Sequence, residues 1–108
     1  MSEYKLTREV WFKAADIIAE GGLHKGSYYY FDKCCTVGAI CKALGHRPEE
    51  DGLRLTESIH VKAAIAFRAF SGEAMGDNDV DAVPTWNDAE ERTQEDVVRV
   101  LRKIGEAL

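Results

Sequence analysis

Between Ile59 and Phe70 the apolar residues Ile59, Ala63, Ala66, Phe67 and Phe70 recur at i, i+4, i+7, i+8 and i+11. That spacing gathers on one side of an α-helix and on neither face of a strand. A helix with such a stripe has to cover it with other elements. The chain supplies them in kind. Val10, Ala14, Ile17 and Ile18 share a face, with Trp11 and Ala15 beside it. Val37, Ile40, Cys41 and Leu44 form another stripe, and Val97, Leu101, Ile104 and Leu108 form a third with Val100 on its flank. The expectation is a mainly α fold: a compact bundle of about four helices with one short extended aromatic segment or small hairpin. At 108 residues the chain makes one helical domain, 1–108, with room for one core.

Local signals set the boundaries. Thr7 can cap a helix from Arg8 to about Glu20, which Gly21-Gly22 ends. A second helix is predicted from about Cys35 to Leu44, stopped by Gly45 and Pro48; its small residues Gly38 and Ala39 should admit another helix at close range. The third starts at Thr56 or Ser58, after a polar loop from His46 to Leu55. Thr93 and Asp96 form a capping box for the last helix, Gln94 to about Ala107. Asp88-Ala89-Glu90-Glu91 repeats the cap pattern and predicts a short helical turn breaking near Arg92. Ser71 to Val83 has no apolar period and is rich in Gly, Asp and Asn, so it reads as a loop. Ser27-Tyr28-Tyr29-Tyr30-Phe31 reads as extended, with a turn at Asp32-Lys33. Trp11 and Trp86 belong in the core on this reading, with Asn87 and Asp88 bonding the backbone of a turn.

Charge narrows the function classes. The net charge is −5. Residues 1–72 carry ten basic and nine acidic side chains, whereas residues 73–108 carry four basic and ten acidic. An acidic half argues against broad binding to a nucleic-acid backbone and suits a protein partner with a basic patch. No apolar run approaches the eighteen or so residues of a membrane span. Met1 to Leu6 reads as a short lead-in, and Met1-Ser2-Glu3-Tyr4-Lys5 lacks the pattern of a signal peptide, which makes the cytoplasm the expected location. Three cysteines, Cys34, Cys35 and Cys41, then imply free thiols in a reducing compartment.

Two constellations could carry chemistry. Cys34 and Cys35 fall at a predicted helix N-terminus, where the dipole lowers a thiol pKa. His24, His46 or His60 could serve as base, oriented by Asn87 or Asp88, which gives a small cysteine-dependent enzyme as an alternative. The plainer reading is buried structural cysteine. Asp77, Asp79 and Asp81 occupy positions 1, 3 and 5 of an EF-hand-like loop that ends at Asp88, which gives a weak calcium-binding loop as a further alternative. Ala82 stands where that loop needs glycine, and Pro84 lacks an N–H. The cysteine and histidine spacings do not match a zinc site. No metal and no cofactor are expected, and no glycine-rich phosphate loop is present.

Trp86-Asn87-Asp88, then Arg92-Thr93 and a helix carrying Val97 and Leu101, resembles the C-terminal signature of a family of small uncharacterised proteins from actinobacteria and their phages. Gly22-Leu23-His24-Lys25-Gly26 and Cys35-Thr36-Val37-Gly38-Ala39-Ile40 are similar to the same family. The resemblance implies a biological context and no chemistry. With it, the expected function is a non-enzymatic protein-interaction module, a phage or phage-derived accessory factor acting on a host protein. The binding residues expected are Asp77, Asp79, Asp81, Trp86, Asn87, Asp88, Glu90 and Glu91. The oligomeric state is left open.

Overall fold

A computed structural model describes residues 4–108, so the start of the lead-in and signal-peptide reading, Met1 to Glu3, lies outside the described residues. Five helices and one hairpin follow in the order α1 (Arg8–Gly21), β1 (Tyr29–Tyr30), β2 (Lys33–Cys34), α2 (Thr36–Leu44), α3 (Leu53–Phe70), α4 (Asp79–Asp88) and α5 (Gln94–Ala107). The mainly helical class is as expected, but the count is five rather than four.

The capping chemistry works as the sequence indicates at both ends of the chain. Thr7 Oγ1 accepts from the Val10 N–H at the start of α1. Thr93 and Asp96 close a reciprocal capping box at the start of α5. Gly22 follows α1 with φ 103°, a conformation that favours glycine. Helix α1 packs against α5 and α2, and α3 packs mainly against α4. Trp11, Ile18, Val37, Ile40, Ile59, Phe67, Val97, Val100, Leu101 and Ile104 are buried together in one core. Gly105 leaves room for the Phe12 ring to lie directly on α5.

The segment read as a loop holds the largest departure. Asn78 caps α4, its Oδ1 accepting from the N–H groups of Val80 and Asp81, and Asp79 and Asp81 sit in the first turn where the helix dipole favours acids. Pro84 lies inside this helix and offers no N–H to the Val80 carbonyl. The helix survives because it is buried along Ala82, Val83, Trp86 and Asn87 against α3 and its neighbours. Asp88 therefore ends a helix instead of starting one, and residues 90–91 form a turn before Thr93. Helix α3 begins at Leu53, three residues before Thr56, which is buried and bonds His46 Nε2 at 2.7 Å.

The aromatic segment forms the small hairpin, with Tyr29 opposite Cys34 and Tyr30 opposite Lys33 in antiparallel register. Its turn is Phe31-Asp32, and Phe31 takes a left-handed φ of 56°. Gly38 does not receive another helix. A Cβ there would collide with the backbone carbonyl of Tyr28, so its smallness serves the hairpin.

Candidate functional site

The three stretches singled out in the sequence meet at one place, where α4 ends beside the start of α2. Asn87 is buried at their centre. Its Oδ1 accepts from the Thr36 N–H at 2.8 Å and from the Thr36 hydroxyl at 2.7 Å. Its Nδ2 donates to the His24 carbonyl at 3.0 Å and to Asp88 Oδ1 at 2.9 Å. Asp88 Oδ1 also accepts the Gly26 N–H at 3.0 Å, and Lys25 Nζ donates to the Ala89 carbonyl at 2.6 Å. Residues 24–26 are thus strapped across the C-terminus of α4. Cys35 N–H donates to the Tyr28 carbonyl at 3.0 Å and ties the hairpin to the same point.

Trp86 is packed edge-on to Phe67 with ring centroids 5.0 Å apart. The Arg92 guanidinium lies 4.0 Å from the centre of the Trp86 ring, a cation–π stack. Its Nη1 and Nη2 hold Glu73 as a fork, at 2.9 and 3.0 Å, while its Nε donates to the Trp86 carbonyl. The indole N–H completes the group by donating to Glu73 Oε2 at 3.1 Å. Arg92 beside it, and then the Trp86 N–H, hold the Glu73 carboxyl below its usual range. Trp86 and Asn87 are therefore bonded inside the fold, not offered for contact. Asp88 is solvent-exposed, but one of its oxygens is fully engaged.

A cavity of about 190 Å³ opens next to this junction, lined by Gly26, Ser27, Tyr28, Cys35, His60, Pro84 and Asp88. Tyr28 Oη and His60 Nε2 are 3.0 Å apart, and His60 Nδ1 is fully buried, with the Val80 carbonyl near enough to act on the ring. Burial pulls the His60 pKa down, against the opposing pull of the Val80 carbonyl, Asp81 and Glu57. Sequence reasoning gave His60 only as one of three possible bases and took Tyr28 for part of an aromatic run. The available signal was its position: Thr56, His60 and Ala64 repeat every four residues along the buried side of α3. A wider furrow beside α5, bordered by Arg99, Arg102 and Lys103, is larger at about 600 Å³ but gathers no buried polar group.

The structure brings Cys35, His60 and Asp88 to one cavity, while His24 lies across the junction and His46 is buried against Thr56 and Tyr4. Cys34 is in β2 rather than at a helix start. Cys35 does cap α2, its sulfur accepting the Gly38 N–H at 3.2 Å. The expected lowering of its pKa is overturned: burial outweighs the helix start and pushes the Cys35 thiol up to about 11. Cys34 is raised as well, chiefly by burial. A neutral, buried thiol is a poor resting nucleophile.

The calcium loop loses its geometry, because positions 3 to 12 of it are helix α4. Asp79 is bridged to Arg68, and among the described residues no group of three or more His, Cys, Asp or Glu is placed to hold a metal ion. Asp77, Asp81, Glu90 and Glu91 are exposed and have no ion-pair partner among the described residues. Among those residues no helix is long and apolar enough to cross a membrane.

A family model, the family of unknown function DUF6197, matches residues 3–107. The chain belongs to that family. DUF6197 so defined spans all five helices and the hairpin, so the junction around Asn87 lies wholly within the family domain. No curated protein and no solved structure matches the chain.

Proposed function

We propose that this chain is a protein-interaction module whose contact surface is the hairpin tip together with the acidic turn beside it. One observation carries the reading. Phe31 is 88% exposed at the apex of a two-residue turn, in a left-handed conformation that a bulky residue adopts at a cost. Tyr30 is 57% exposed beside it, its ring edge-on to Phe31 at 4.6 Å and stacked on His24 at 5.5 Å. An aromatic cluster held out in water on a braced turn suits an anchor that is buried by a partner.

The strap at residues 24–26 joins this tip to the turn that carries Glu90 and Glu91, while Asp81 lies in the first turn of α4 at its other end and Asp77 just precedes that helix. The partner favoured is therefore a protein with an apolar pocket for the tip and a basic rim. The resemblance to actinobacterial and phage proteins extends the reading to an accessory factor acting on a host protein.

The test is affinity capture from the natural host with the parent chain and with Tyr30→Ser/Phe31→Ser. A protein retained by the parent and lost by the double variant, at unchanged melting temperature, supports the reading. Equal retention by both chains sinks it.

A further inference from the structure

The hydrogen bonds around Cys34 leave one edge of the hairpin open. Cys34 spends both of its main-chain groups away from β1: its N–H donates to the Gly22 carbonyl at 3.1 Å, and its carbonyl accepts from the His24 N–H at 2.9 Å. Antiparallel ladders alternate between facing residues that exchange both bonds and facing residues that exchange none. Tyr29 faces Cys34, so these two exchange none. One step on, the ladder bonds again, the Cys35 N–H donating to the Tyr28 carbonyl at 3.0 Å. The Tyr29 N–H and carbonyl therefore both point away from β2, toward the outer edge of β1. The carbonyl has the Ser27 hydroxyl at 3.3 Å, and that hydroxyl has His24 Nε2 nearer, at 2.8 Å. The N–H has no acceptor among the described residues. Proteins blunt such edges with charge, proline or a bulge. Here the edge is Tyr28, Tyr29 and Tyr30, all strand formers, and Tyr29 and Tyr30 are exposed. Shortness is its one protection.

From this edge we infer that β1 pairs antiparallel with β1 of a second copy, about a two-fold axis at Tyr29. A second copy is the matching occupant because a single residue carries both the open donor and the available acceptor. A two-fold axis through that residue sets each N–H against the other copy's carbonyl, and two identical bonds form. The same register puts Tyr28 opposite Tyr30 of the second copy, an aromatic cross-strand pair on either side of the axis. The two hairpins merge into one continuous sheet. Length sets the strength. Stable complexes bury about 800 Å² per partner, and an edge limited to Tyr28, Tyr29 and Tyr30 covers far less. Association is therefore weak and belongs to concentrated solution. The bonds come from the main chain at Tyr29, so the pairing stands or falls apart from the Phe31 contact proposed above.

Sedimentation velocity of the full chain from about 10 μM to about 1 mM reads the association. Hydrogen exchange of the ¹⁵N-labelled Tyr29 amide reads its place. The dimer fraction should rise across the series, and exchange at Tyr29 should slow by about twofold or more at the upper end. Tyr29→Pro removes the outward N–H and no bond of the hairpin, so it should abolish association. Tyr29→Ala keeps that N–H and should still associate, as should Phe31→Ser. Should Tyr29→Pro fail to fold, the Tyr29 exchange of the parent chain decides. A monomer at every concentration overturns the inference. Association with Tyr29 exchange unchanged, association that survives in folded Tyr29→Pro, or association lost in Tyr29→Ala or Phe31→Ser overturns it equally.

Discussion

Asn87 and Thr36, 51 positions apart, form a closed pair: one amide oxygen receives both the backbone N–H and the hydroxyl of the same threonine. The N–H that Asn87 satisfies is an otherwise unpaired donor at the first turn of α2. Asn87→Ala leaves that donor and the Thr36 hydroxyl buried without their acceptor and the half-buried His24 carbonyl without its donor. We expect a loss of about 2–4 kcal/mol in denaturant unfolding, from roughly 1–3 kcal/mol for each group that water cannot reach. A loss under about 0.5 kcal/mol would show that the junction tolerates its removal.

Trp86→Ala should cost about 3–5 kcal/mol, because it empties the contact with Phe67 and strips the Arg92 guanidinium of its stacking partner. Arg92→Lys should also destabilise, since an ammonium cannot fork onto Glu73 while bonding the Trp86 carbonyl. Urea midpoints of the two variants check this, and a midpoint for Arg92→Lys equal to the parent's contradicts it.

Glu73 and Asp96 are both held below their usual ranges, by Arg92 and by the Thr93 N–H respectively. A depressed carboxylate stabilises the fold above its unfolded pKa, and that contribution is lost as pH falls through the folded value. Stability should therefore drop as pH falls through and below the ordinary carboxylate range. Glu73→Gln should flatten part of the slope. Both groups face solvent in part, so the effect should be modest and weaken with salt. Melting temperatures from neutral to acid pH give the comparison.

Burial pushes Cys35 up to about 11 and Cys41 up to about 12. The folded chain thus holds these protons where the unfolded chain releases them, and stability should fall as pH rises from about 9, the ordinary thiol value, toward those limits. Under native conditions near neutral pH, a thiol reagent should react slowly and at a rate set by unfolding. A fast native reaction of Cys35 near pH 7 would revive the cysteine-dependent alternative.

Charge on the acidic turn should act on association more than on stability. Asp77→Asn, Asp81→Asn, Glu90→Gln and Glu91→Gln together should slow binding to a captured partner and weaken its salt dependence. Melting should hardly change, because none of the four has an ion-pair partner among the described residues. Asp79 is left out of this set, because its bond to Arg68 holds α4 to α3. An unchanged association rate places the contact elsewhere.

Four helices were legible because each carries an apolar stripe of helical period with a cap or a glycine stop. Helix α4 was not, for a physical reason. Its own residues include Pro84 and a first turn of acids, and its stability comes from Ala82, Val83 and Trp86 meeting surfaces supplied by distant parts of the chain. Asn87 and Asp88 do bond backbone, as turn residues would, but across the fold rather than locally. The fork between Arg92 and Glu73, 19 positions apart, left no local trace at all. Neither did the pairing of His60 with Tyr28, which depends on how close Gly38 lets the hairpin come.

The place of Asn87, 51 positions after Thr36, sets an order on synthesis. As the protein leaves the ribosome, α1, α2 and α3 emerge first, and the α2 start faces water with its Thr36 donor open. Phe67 has the Trp11 ring within reach but waits for the Trp86 ring, which is made later. Helices α1 and α2 pack on each other before then, but the junction closes only when α4 is made and brings Asn87, with α5 following it. A nascent chain stopped before position 87 leaves the α2 start and the Trp86 side of Phe67 uncovered, and exposed apolar surface of that kind favours aggregation.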